Sequence, residues 1–386
     1  MSRPTILFLV TEDWYFWSHR IGLARAAREA GFEVVLAARF TAHQQRIEAS
    51  GVRCIPLPFV RSLRNPLKEF MLMIQVATVV KSVYPTLVHT VALKSILLSI
   101  GAIIRCPKVQ FCHAITGLGY LFISRRQSTQ LLRRLTVPLF KWLFARHNCH
   151  MIVQNSDDLA LLESNGIGDR RHAVIIRGAG VDVRMFEARP LPVANPPLVI
   201  LPARMLRDKG VDEFVGAARL LRARGVVARF ALVGGLDSGN PAALTEAELN
   251  AMCSDGAVEW WGHRDDMPTV FEMATLVCLP SYREGLPKAL LEAAACARPL
   301  IATDVPGCRE ICRPGETGIL VPPRDAVALA EAIASLLIDR ARCEAFGSAA
   351  RTLVEQAFSA AIINAATVSF YRQVIAAAQT SARAEA

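Results

Sequence analysis

Short apolar runs alternate with longer helix-forming stretches along this chain, and the alternation most restricts the folds open to it. Strands are predicted at Pro4–Val10 and Glu33–Ala38, with a helix at Arg20–Ala30 between them. The series continues with predicted strands at 87–90, 109–113, 151–154 and 174–176. Strands that are joined by helices form parallel sheets. The first half of the sequence therefore predicts a doubly wound α/β domain.

A second series of the same kind follows a proline-rich stretch. Residues 187–197 contain four prolines and little periodicity, which is typical of a linker. Predicted strands then alternate with predicted helices, the strands at 198–201, 230–233, 258–261, 276–280, 300–303 and 318–321 and the helices at 212–223, 267–274, 288–297 and 326–339. A chain of 386 residues is too long for one compact core, so two doubly wound domains are expected. Ligands of such domains bind at the carboxyl ends of the strands.

Charge is distributed unevenly between the two halves. Residues 1–190 hold 25 Lys and Arg against 12 Asp and Glu, whereas residues 191–386 hold 19 against 22. A basic surface is typical of proteins that bind nucleic acid, anionic membranes or phosphorylated ligands. No nucleic-acid-binding motif is present and aromatic residues make up only 7% of the chain, so we expect no nucleic acid partner.

The apolar segments predict neither a secretory signal nor a membrane span. The first apolar run, Ile6–Val10, is short and is followed by Glu12 and Asp13. The longest uncharged apolar runs, 70–80 and 95–104, are too short to cross a bilayer. Ten cysteines without a C-x-x-C pattern indicate free thiols in a reducing cytoplasm.

The segment R-E-G-L-P-K-A-L-L-E, residues 283–292, carries the strongest functional signal. Glu284 begins a Gly-Pro turn made by Gly285, Leu286 and Pro287, and Glu292 follows on a predicted helix. The first N–H groups of that helix favour an anion. Carboxylates on both sides of an anion site suit a ligand with hydroxyl groups at its two ends and a diphosphate between them.

Basic residues and glycines follow the neighbouring predicted strands. Arg204 and Lys209 come directly after the strand at 198–201, where the two cations could hold a diphosphate or remain solvated surface charge. Gly234 and Gly235 end the next strand, where they allow the backbone to approach a phosphate or simply form a tight turn. Weaker candidates for contacts to a base follow a third strand, namely His263 and Arg264. No G-x-G-x-x-G, P-loop or D-x-D motif occurs, so neither a dinucleotide cofactor nor a metal is expected.

Candidate residues for a second substrate lie in the first half. His113 follows a predicted strand, and we expect it to face a crevice as a polar contact or proton carrier, although a lone histidine is more often structural. Thr116 and Gly117 follow it in T-G-L-G-Y. Ser18 and His19 lie in a predicted loop after the first strand and are expected at the same edge.

Two basic, apolar stretches, residues 61–81 and 125–146, predict contact with an anionic membrane surface. In the second, Arg133, Arg134 and Lys141 alternate with leucine and aromatic residues. In the first, basic residues precede the apolar run that starts at Phe70. Such segments lie in bilayer interfaces. The alternative is that both are amphipathic helices packed on the core.

Taken together, these residues resemble glycosyltransferase family 4, whose members have the GT-B fold and a retaining mechanism. The resemblance covers nearly the whole chain and is strongest at residues 198–322. The family's E-x7-E pair falls on Glu284 and Glu292, and its phosphate-binding Arg and Lys fall on Arg204 and Lys209. Its glycine-containing turn falls on 233–235.

The resemblance implies two Rossmann-like doubly wound domains that face each other across a cleft. Residues 1–190 would bind the acceptor at the membrane and residues 191–357 would bind a nucleotide-sugar. Residues 358–386 would form a helix that crosses back to the first domain, followed by a tail. Many members have a Gly-rich loop after the first strand, whereas this chain has E-D-W-Y-F-W-S-H.

The implied activity is transfer of a hexose or N-acetylhexosamine from a nucleotide-sugar, expected to be a UDP-sugar, to a lipid-linked glycan. The catalytic set would be Glu284, His113, Arg204 and Lys209, with Glu292 on the ribose and no metal or other cofactor. The segments A-L-V-G-G-L-D-S-G-N-P and T-G-L-G-Y-L-F are similar to those of members that extend undecaprenyl-diphosphate-linked sugars. The protein is expected in the cytoplasm, at the inner face of the cell membrane.

Two other functions remain open at this point. A nucleotide-sugar epimerase shares the two-lobed fold and needs no acceptor. A non-catalytic membrane-associated protein would bind UDP without turnover, although it would not need both Glu284 and Glu292.

Overall fold

The chain forms two compact α/β units. A computed structural model describes residues 3–60, 65–116, 127–168, 172–237, 239–240 and 242–384. The first unit comprises Met1–Ala179 and Ala360–Ala386, and the second comprises Gly180–Ser359. Each unit is built around one parallel sheet with helices packed on both faces.

The sheet of the first unit has seven parallel strands. They are β1 Thr5–Glu12, β2 Glu33–Arg39, β3 Arg53–Pro56, β4 Leu87–Val91, β5 Gln110–Ile115, β6 Cys149–Val153 and β7 Ala173–Ile175. Their order is β3-β2-β1-β4-β5-β6-β7, so the direction of winding reverses between β1 and β4. The central strands are buried on both faces because helices cover both sides of the sheet.

Eight helices connect these strands within the described residues. They are α1 Asp13–His19, α2 Ile21–Glu29, α3 Gln44–Ala49, α4 Pro66–Val83, α5 Ala92–Leu98, α6 Ile100–Arg105, α7 Gln127–Phe144 and α8 Ser156–Ser164. Helix α4 begins where the sequence provides a cap. The Asn65 side chain accepts hydrogen bonds from the N–H groups of Leu67 and Lys68, and Pro66 occupies the first helical position.

Helix α1 corrects the prediction of a loop after the first strand. The buried Asp13 carboxylate accepts hydrogen bonds from the N–H groups of Trp14, Thr41, Ala42 and His43. Burial raises the pKa of Asp13, but the hydrogen bonds outweigh it and hold that pKa below its usual value. Asp13 therefore anchors the start of α1 to the turn after β2, a contact between distant residues that no local pattern indicates.

The second unit repeats the winding of the first. Its strands are β8 Leu198–Pro202, β9 Arg229–Val233, β10 Glu259–Trp260, β11 Leu276–Leu279, β12 Leu300–Thr303 and β13 Gly318–Val321, in the order β10-β9-β8-β11-β12-β13. Its helices are α9 Val211–Ala223, α10 Glu246–Cys253, α11 Met267–Met273, α12 Lys288–Ala295, α13 Pro306–Arg309, α14 Ala326–Leu337 and α15 Arg340–Ala357. The winding reverses between β8 and β11.

The proline-rich stretch at 187–197 belongs to the second unit, so the units divide before it and not at residue 190 as predicted. The fully buried Arg298 guanidinium donates hydrogen bonds to the carbonyl oxygens of Arg189, Pro190 (3.1 Å), Ala274 (3.2 Å) and Cys296 (2.9 Å). A buried guanidinium must find acceptors for its hydrogens, and here two of the four come from the proline-rich stretch. The stretch is therefore fastened to the second unit.

The last helix, α16 Ala360–Ala384, packs in the first unit. The Tyr371 hydroxyl lies 2.8 Å from Nδ1 of His89 in β4, and Arg372 donates to the carbonyl oxygen of Ala30 after α2. The chain thus enters the second unit near residue 180 and leaves it near residue 359.

Candidate functional site

The predicted site residues of the second unit gather where its sheet reverses its winding. Strands β8 and β11 are neighbours in the sheet although much of the unit separates them in sequence. Connections from two such strands leave toward opposite faces, which opens a crevice at the carboxyl edge. Arg204 and Lys209 follow β8, and Glu284 follows β11.

The loops after β8 and β11 are locked against each other. Gly210 has φ of 74°, and a Cβ atom at this position would lie 2.2 Å from the carbonyl oxygen of Pro280. The N–H of Tyr282 donates a hydrogen bond of 2.9 Å to the carbonyl oxygen of Asp208. Glycine is therefore required at 210 both for its conformation and for this close approach.

Lys209 and Glu284 form an ion pair between these two loops. Lys209 Nζ donates to Glu284 Oε1 at 2.6 Å, and the side chains are only 18% and 11% exposed. Partial burial strengthens such a charge-assisted hydrogen bond relative to one in water. The pair places one cation and one carboxylate side by side at the switch point of the sheet.

Glu292 lies on α12, which begins directly after the turn that follows Glu284. The Glu292 side chain is largely buried and forms an ion pair with Lys288, whose Nζ lies 2.7 Å from Glu292 Oε1. The turn residues Gly285, Leu286 and Pro287 lead into the first turn of α12. Each carboxylate of the E-x7-E pair therefore has a lysine beside it, at opposite ends of a turn and the start of a helix.

Helix α13 supports the turn that carries Glu284. The Gly307 N–H donates to the carbonyl oxygen of Glu284 at 3.3 Å. A Cβ atom at Gly307 would lie 2.4 Å from the carbonyl oxygen of Gly285 and 2.7 Å from that of Glu284. The backbone at Glu284 is thus held by a contact that only glycine permits.

Arg204 and the two glycines after β9 form a second group of contacts at this edge. The Met205 N–H donates to the carbonyl oxygen of Gly235 at 3.0 Å. A Cβ atom at Gly234 would lie 1.7 Å from the carbonyl oxygen of Ala203. Gly234 is therefore explained by the approach of the neighbouring loop. Arg204 forms an ion pair with Asp237, whose side chain is buried while that of Arg204 is about half exposed.

His263 and Arg264 lie at the same edge, exposed to solvent. The His263 side chain is 73% exposed and contacts Asp265 at 3.2 Å, and Arg264 pairs with Asp266 at 2.6 Å. A Cβ atom at Gly235 would lie 3.2 Å from that of His263, so the loops after β9 and β10 touch. The role of these two residues toward a base stays a prediction.

Sequence reasoning missed two residues that contact the site. Asp237, the partner of Arg204, lies in the segment A-L-V-G-G-L-D-S-G-N-P but was not selected as a site residue. The Tyr282 hydroxyl donates to Glu213 Oε1 at 2.7 Å, and the Arg324 guanidinium lies 4.5 Å from the centre of its ring. Burial and the nearby Glu213 carboxylate raise the pKa of Tyr282 well above its usual value.

His113 lies in the core and not on an open face as predicted. Its side chain is fully buried, Nδ1 lies 2.8 Å from Thr90 Oγ1, and the ring packs edge-on against Phe144. Burial lowers the pKa of His113 to about 3, which keeps the ring neutral. The position agrees with the structural alternative for a lone histidine.

The other candidates of the first unit lie nearer to solvent. The Ser18 hydroxyl, at the end of α1, lies 2.9 Å from the carbonyl oxygen of Trp14 and 2.6 Å from His19 Nδ1. The His19 ring stacks on Tyr15 at 4.3 Å between ring centres. Thr116 directly follows β5 and is half-buried. Gly117 lies outside the described residues.

The predicted membrane segments contain helices α4 and α7. Four apolar residues of α4 are exposed on one side of the helix, while Leu72, Val76 and Val80 on the other side are buried in the core. We call this exposed set the α4 stripe; it consists of Leu67, Phe70, Met71 and Ile74. Residues 61–64, at the start of the first segment, lie outside the described residues.

Helix α7 shows the same division. Phe140 and Leu143 are buried, whereas Trp142 is 40% exposed and lies 4.9 Å from the Arg146 guanidinium. Residues 125–126 of the second segment are not described. Among the described helices, none combines the length and the apolar character that a membrane crossing requires.

Each half of the chain matches a family model of glycosyltransferases. Residues 5–155 match the family model "Glycosyl transferase 4-like", and residues 196–339 match "Glycosyl transferases group 1". A similar relative is the N,N'-diacetylbacillosaminyl-diphospho-undecaprenol alpha-1,3-N-acetylgalactosaminyltransferase of Campylobacter jejuni, 27% identical over 83% of this chain and 86% of the relative.

Solved structures share the fold over almost the whole chain. Sucrose-phosphate synthase from Thermosynechococcus elongatus has a TM-score of 0.80 and 23% sequence identity, with 97% of this chain and 100% of the other covered. Anabaena HepE in complex with UDP and glucose has a TM-score of 0.78 and 19% identity, with 96% and 99% covered. The two doubly wound parallel sheets predicted from the sequence are those of the GT-B fold.

Proposed function

Because this chain belongs to the group 1 glycosyltransferases and has the GT-B fold, we propose that it transfers a sugar from a UDP-sugar to a lipid-linked glycan with retention of configuration. The observation that carries the proposal is the Lys209–Glu284 pair at the switch point of the second sheet. An ion pair at this position presents a cation to a diphosphate and a carboxylate to sugar hydroxyl groups. A nucleotide-sugar requires both the cation and the carboxylate, whereas folding of the sheet requires neither.

The chemistry assigned to the second unit is stabilisation of the leaving diphosphate. The bond between the anomeric carbon and the diphosphate oxygen breaks, and the negative charge that develops there is met by Lys209, Arg204 and the first N–H groups of α12. Lys209 would exchange Glu284 for the diphosphate when the donor binds. With two side-chain cations and a helix N-terminus, the site needs no metal.

Glu284 and Glu292 position the donor at its two ends. Glu284 accepts hydrogen bonds from hydroxyl groups of the transferred sugar, and Glu292 accepts them from the ribose. The acceptor hydroxyl attacks on the face from which the diphosphate departs. Its proton passes to the departing phosphate oxygen as the new glycosidic bond forms, which retains the anomeric configuration.

The proposed donor and acceptor classes are those for which similar proteins are named. HepE was solved with UDP and glucose, and the Campylobacter jejuni relative is named for transfer of N-acetylgalactosamine to a sugar on undecaprenyl diphosphate. A membrane-bound acceptor also agrees with the basic first half and the α4 stripe. We therefore propose that the protein works at the inner face of the cell membrane.

A panel of donors and acceptors tests this function. UDP-glucose, UDP-N-acetylglucosamine and UDP-N-acetylgalactosamine are each incubated with protein and a short-chain polyprenyl-diphosphate disaccharide, with and without EDTA. We expect a trisaccharide whose new anomeric centre has the α configuration in NMR spectra, at the same rate with EDTA. Isomerised UDP-sugar without acceptor would identify an epimerase, and UDP binding without turnover would identify a non-catalytic protein. An inverted product would contradict retention.

A further inference from the structure

A small cavity lies in the first unit at the carboxyl edge of its sheet. It is lined by Arg20, His89, Thr116, Gln154, Gly178 and Thr367, among others. Thr116, Gln154 and Gly178 directly or closely follow β5, β6 and β7, while His89 reaches it from β4. The enclosed space is about the size of one water molecule or one ligand oxygen.

Arg20 lines this cavity and leaves one buried guanidinium nitrogen without a partner among the described residues. Its side chain is 6% exposed, and its Nε is buried with no hydrogen-bond partner among the described residues. Arg298, the other deeply buried arginine described above, donates to four carbonyl oxygens. A buried N–H of a cation without an acceptor is costly, so the contrast indicates that the acceptor for Nε of Arg20 comes from outside the chain.

The acids closest to Arg20 in sequence already have other partners. Glu12, at the end of β1, already forms a bidentate ion pair with Arg39. The Asp13 carboxylate is occupied by the N–H groups of the turn at 41–43. Both carboxylates are therefore engaged away from Arg20, although they lie close to it in sequence.

His89 supplies a second unpaired donor to the same cavity. Its Nδ1 lies 2.8 Å from the Tyr371 hydroxyl, and burial raises the pKa of that phenol so that it stays protonated. The hydroxyl hydrogen is satisfied when Tyr371 donates to Nδ1, which leaves the proton of the neutral imidazole on Nε2. Nε2 is buried and has no partner among the described residues.

We propose that this cavity binds an oxyanion of the phosphoryl class, with one oxygen held between Arg20 and His89. Two buried donors that line one cavity and lack an acceptor, one of them on a cation, favour an anionic oxygen. The hydroxyl of Thr116 and the amide of Gln154 line the cavity and offer further hydrogen bonds to the same group. The ligand is either free phosphate or the phosphoryl group of a lipid-linked substrate; only the second source rests on the proposed function.

Isothermal titration calorimetry with inorganic phosphate tests the site. The full chain carries Lys209→Met, so that phosphate bound at the second unit is suppressed. We expect phosphate to bind this protein and Arg20→Met to weaken its affinity at least about tenfold in the same background. Arg25→Met is the matched control, because Arg25 lies on α2 but its guanidinium is bonded to Ser50 at the surface.

Two further variants distinguish the loss of a phosphate contact from the loss of the fold. His89→Leu removes the second donor and should weaken phosphate binding several-fold, and Arg20→Lys keeps the charge and should bind phosphate more tightly than Arg20→Met. Circular dichroism checks that each variant is folded. Unchanged phosphate affinity in folded Arg20→Met, or no phosphate binding in the Lys209→Met background, would overturn the proposal and leave an ordered water as the occupant.

A second titration identifies the source of the phosphoryl group. Farnesyl phosphate is compared with inorganic phosphate, with farnesol as the control for the lipid tail. The site is assigned to a lipid-linked substrate if farnesyl phosphate binds at least about tenfold more tightly than phosphate and Arg20→Met abolishes this difference in affinity. Equal affinities assign it to free phosphate. UDP binding, measured separately in the protein without Lys209→Met, reports on the proposed function alone.

Discussion

At the scale of single residues, the Lys209–Glu284 pair sets the order of events in donor binding. Each side chain is mostly buried and has the other as its charged partner at 2.6 Å. A diphosphate can replace Glu284 at Lys209 without leaving a buried charge unpaired, provided that Glu284 then receives hydrogen bonds from sugar hydroxyl groups. The ion pair therefore keeps the site ordered until a ligand with both groups arrives.

Glu284→Ala should lower turnover far more than donor binding. Because the proposed contact to the sugar matters most as the glycosidic bond breaks, we expect kcat to fall about 100-fold while UDP affinity changes little. Steady-state kinetics and calorimetry with UDP measure the two effects separately. Glu316→Ala, an exposed glutamate of the same unit paired with Arg313, is the control. Wild-type turnover in Glu284→Ala would remove this residue from the site.

Lys209→Met should weaken the affinity for UDP. Loss of a charge-assisted hydrogen bond to a phosphate costs about 1.5–3 kcal/mol, so the dissociation constant should rise about 10- to 100-fold in calorimetry. Arg207→Met is a close control, since Arg207 lies in the same turn but pairs with Asp212 and Glu248. Equal losses in the two variants would indicate a general charge effect and would contradict a direct contact.

At the scale of elements, glycines at loop contacts decide where the catalytic backbone lies. Gly210 and Gly307 each approach a carbonyl oxygen of the segment 280–285 more closely than a Cβ atom allows. These contacts join the loop after β8, helix α13 and the turn before α12 into one assembly. A substitution there moves Glu284 without touching it.

Gly307→Ala should therefore reduce activity while the fold is retained. The added Cβ atom would displace the carbonyl groups of Glu284 and Gly285, and a displacement of about 1 Å at a reacting group costs on the order of 100-fold in rate. Kinetics and thermal melting should show a large loss of kcat with a small change in Tm. Gly216→Ala in α9 is the control, because its Cβ would meet only Ala326 Cβ at 3.1 Å. Full activity of Gly307→Ala would show that the turn adapts.

Arg298→Met should destabilise the second unit. It leaves four buried carbonyl oxygens without their donor, and we expect the free energy of unfolding to fall by about 2–4 kcal/mol in urea titrations. Arg340→Met is the comparison, since Arg340 holds Leu191 and Pro192 from a more exposed position and should cost less than about 1 kcal/mol. Similar losses would show that burial does not set the cost.

The sequence predicted those elements whose pattern is local. Most predicted strands lie within a few residues of the observed ones, because short apolar runs next to helix-forming stretches are buried on both faces. Strand β3, with its half-exposed Arg53–Pro56, and the short helices α10 and α13 lacked such a pattern and were missed. The helix at 13–19 was missed because its first residue, Asp13, is held by N–H groups of the distant turn at 41–43, which a local sequence pattern does not reveal.

The candidate site divides in the same way. Glu284, Glu292, Arg204 and Lys209 could be selected because a motif of fixed spacing places them after neighbouring strands, and the structure brings Lys209 to Glu284. The side of the sheet on which His113 lies could not be predicted, since a shift of one residue in the strand moves its side chain to the opposite face. The ion pair of Asp237 with Arg204, and the cavity that Arg20 and His89 both line, depend on contacts between distant segments, for which a single sequence holds no signal.

At the scale of the whole molecule, charge and exposed apolar surface coincide in the first unit. Residues 1–190 carry 13 more basic than acidic groups, whereas the rest of the chain carries 3 fewer. The α4 stripe exposes 54% of both Phe70 and Met71 in that unit. Apolar side chains that enter the interface and cations that meet anionic headgroups reinforce each other in membrane binding.

The α4 stripe and the basic residues of α7 should therefore contribute separately to binding of phosphatidylglycerol vesicles. Phe70→Ser with Met71→Ser removes apolar burial of about 1.5–3 kcal/mol per side chain, so co-sedimentation should fall at least about tenfold at every salt concentration. Arg134→Ser with Lys141→Ser should lower binding only at low salt, where charges are poorly screened. Val193→Ser with Ile338→Ser, which removes two exposed apolar residues of the second unit, should bind like the wild type. Persistent co-sedimentation of both first-unit variants would show that α4 and α7 serve only to pack on the core.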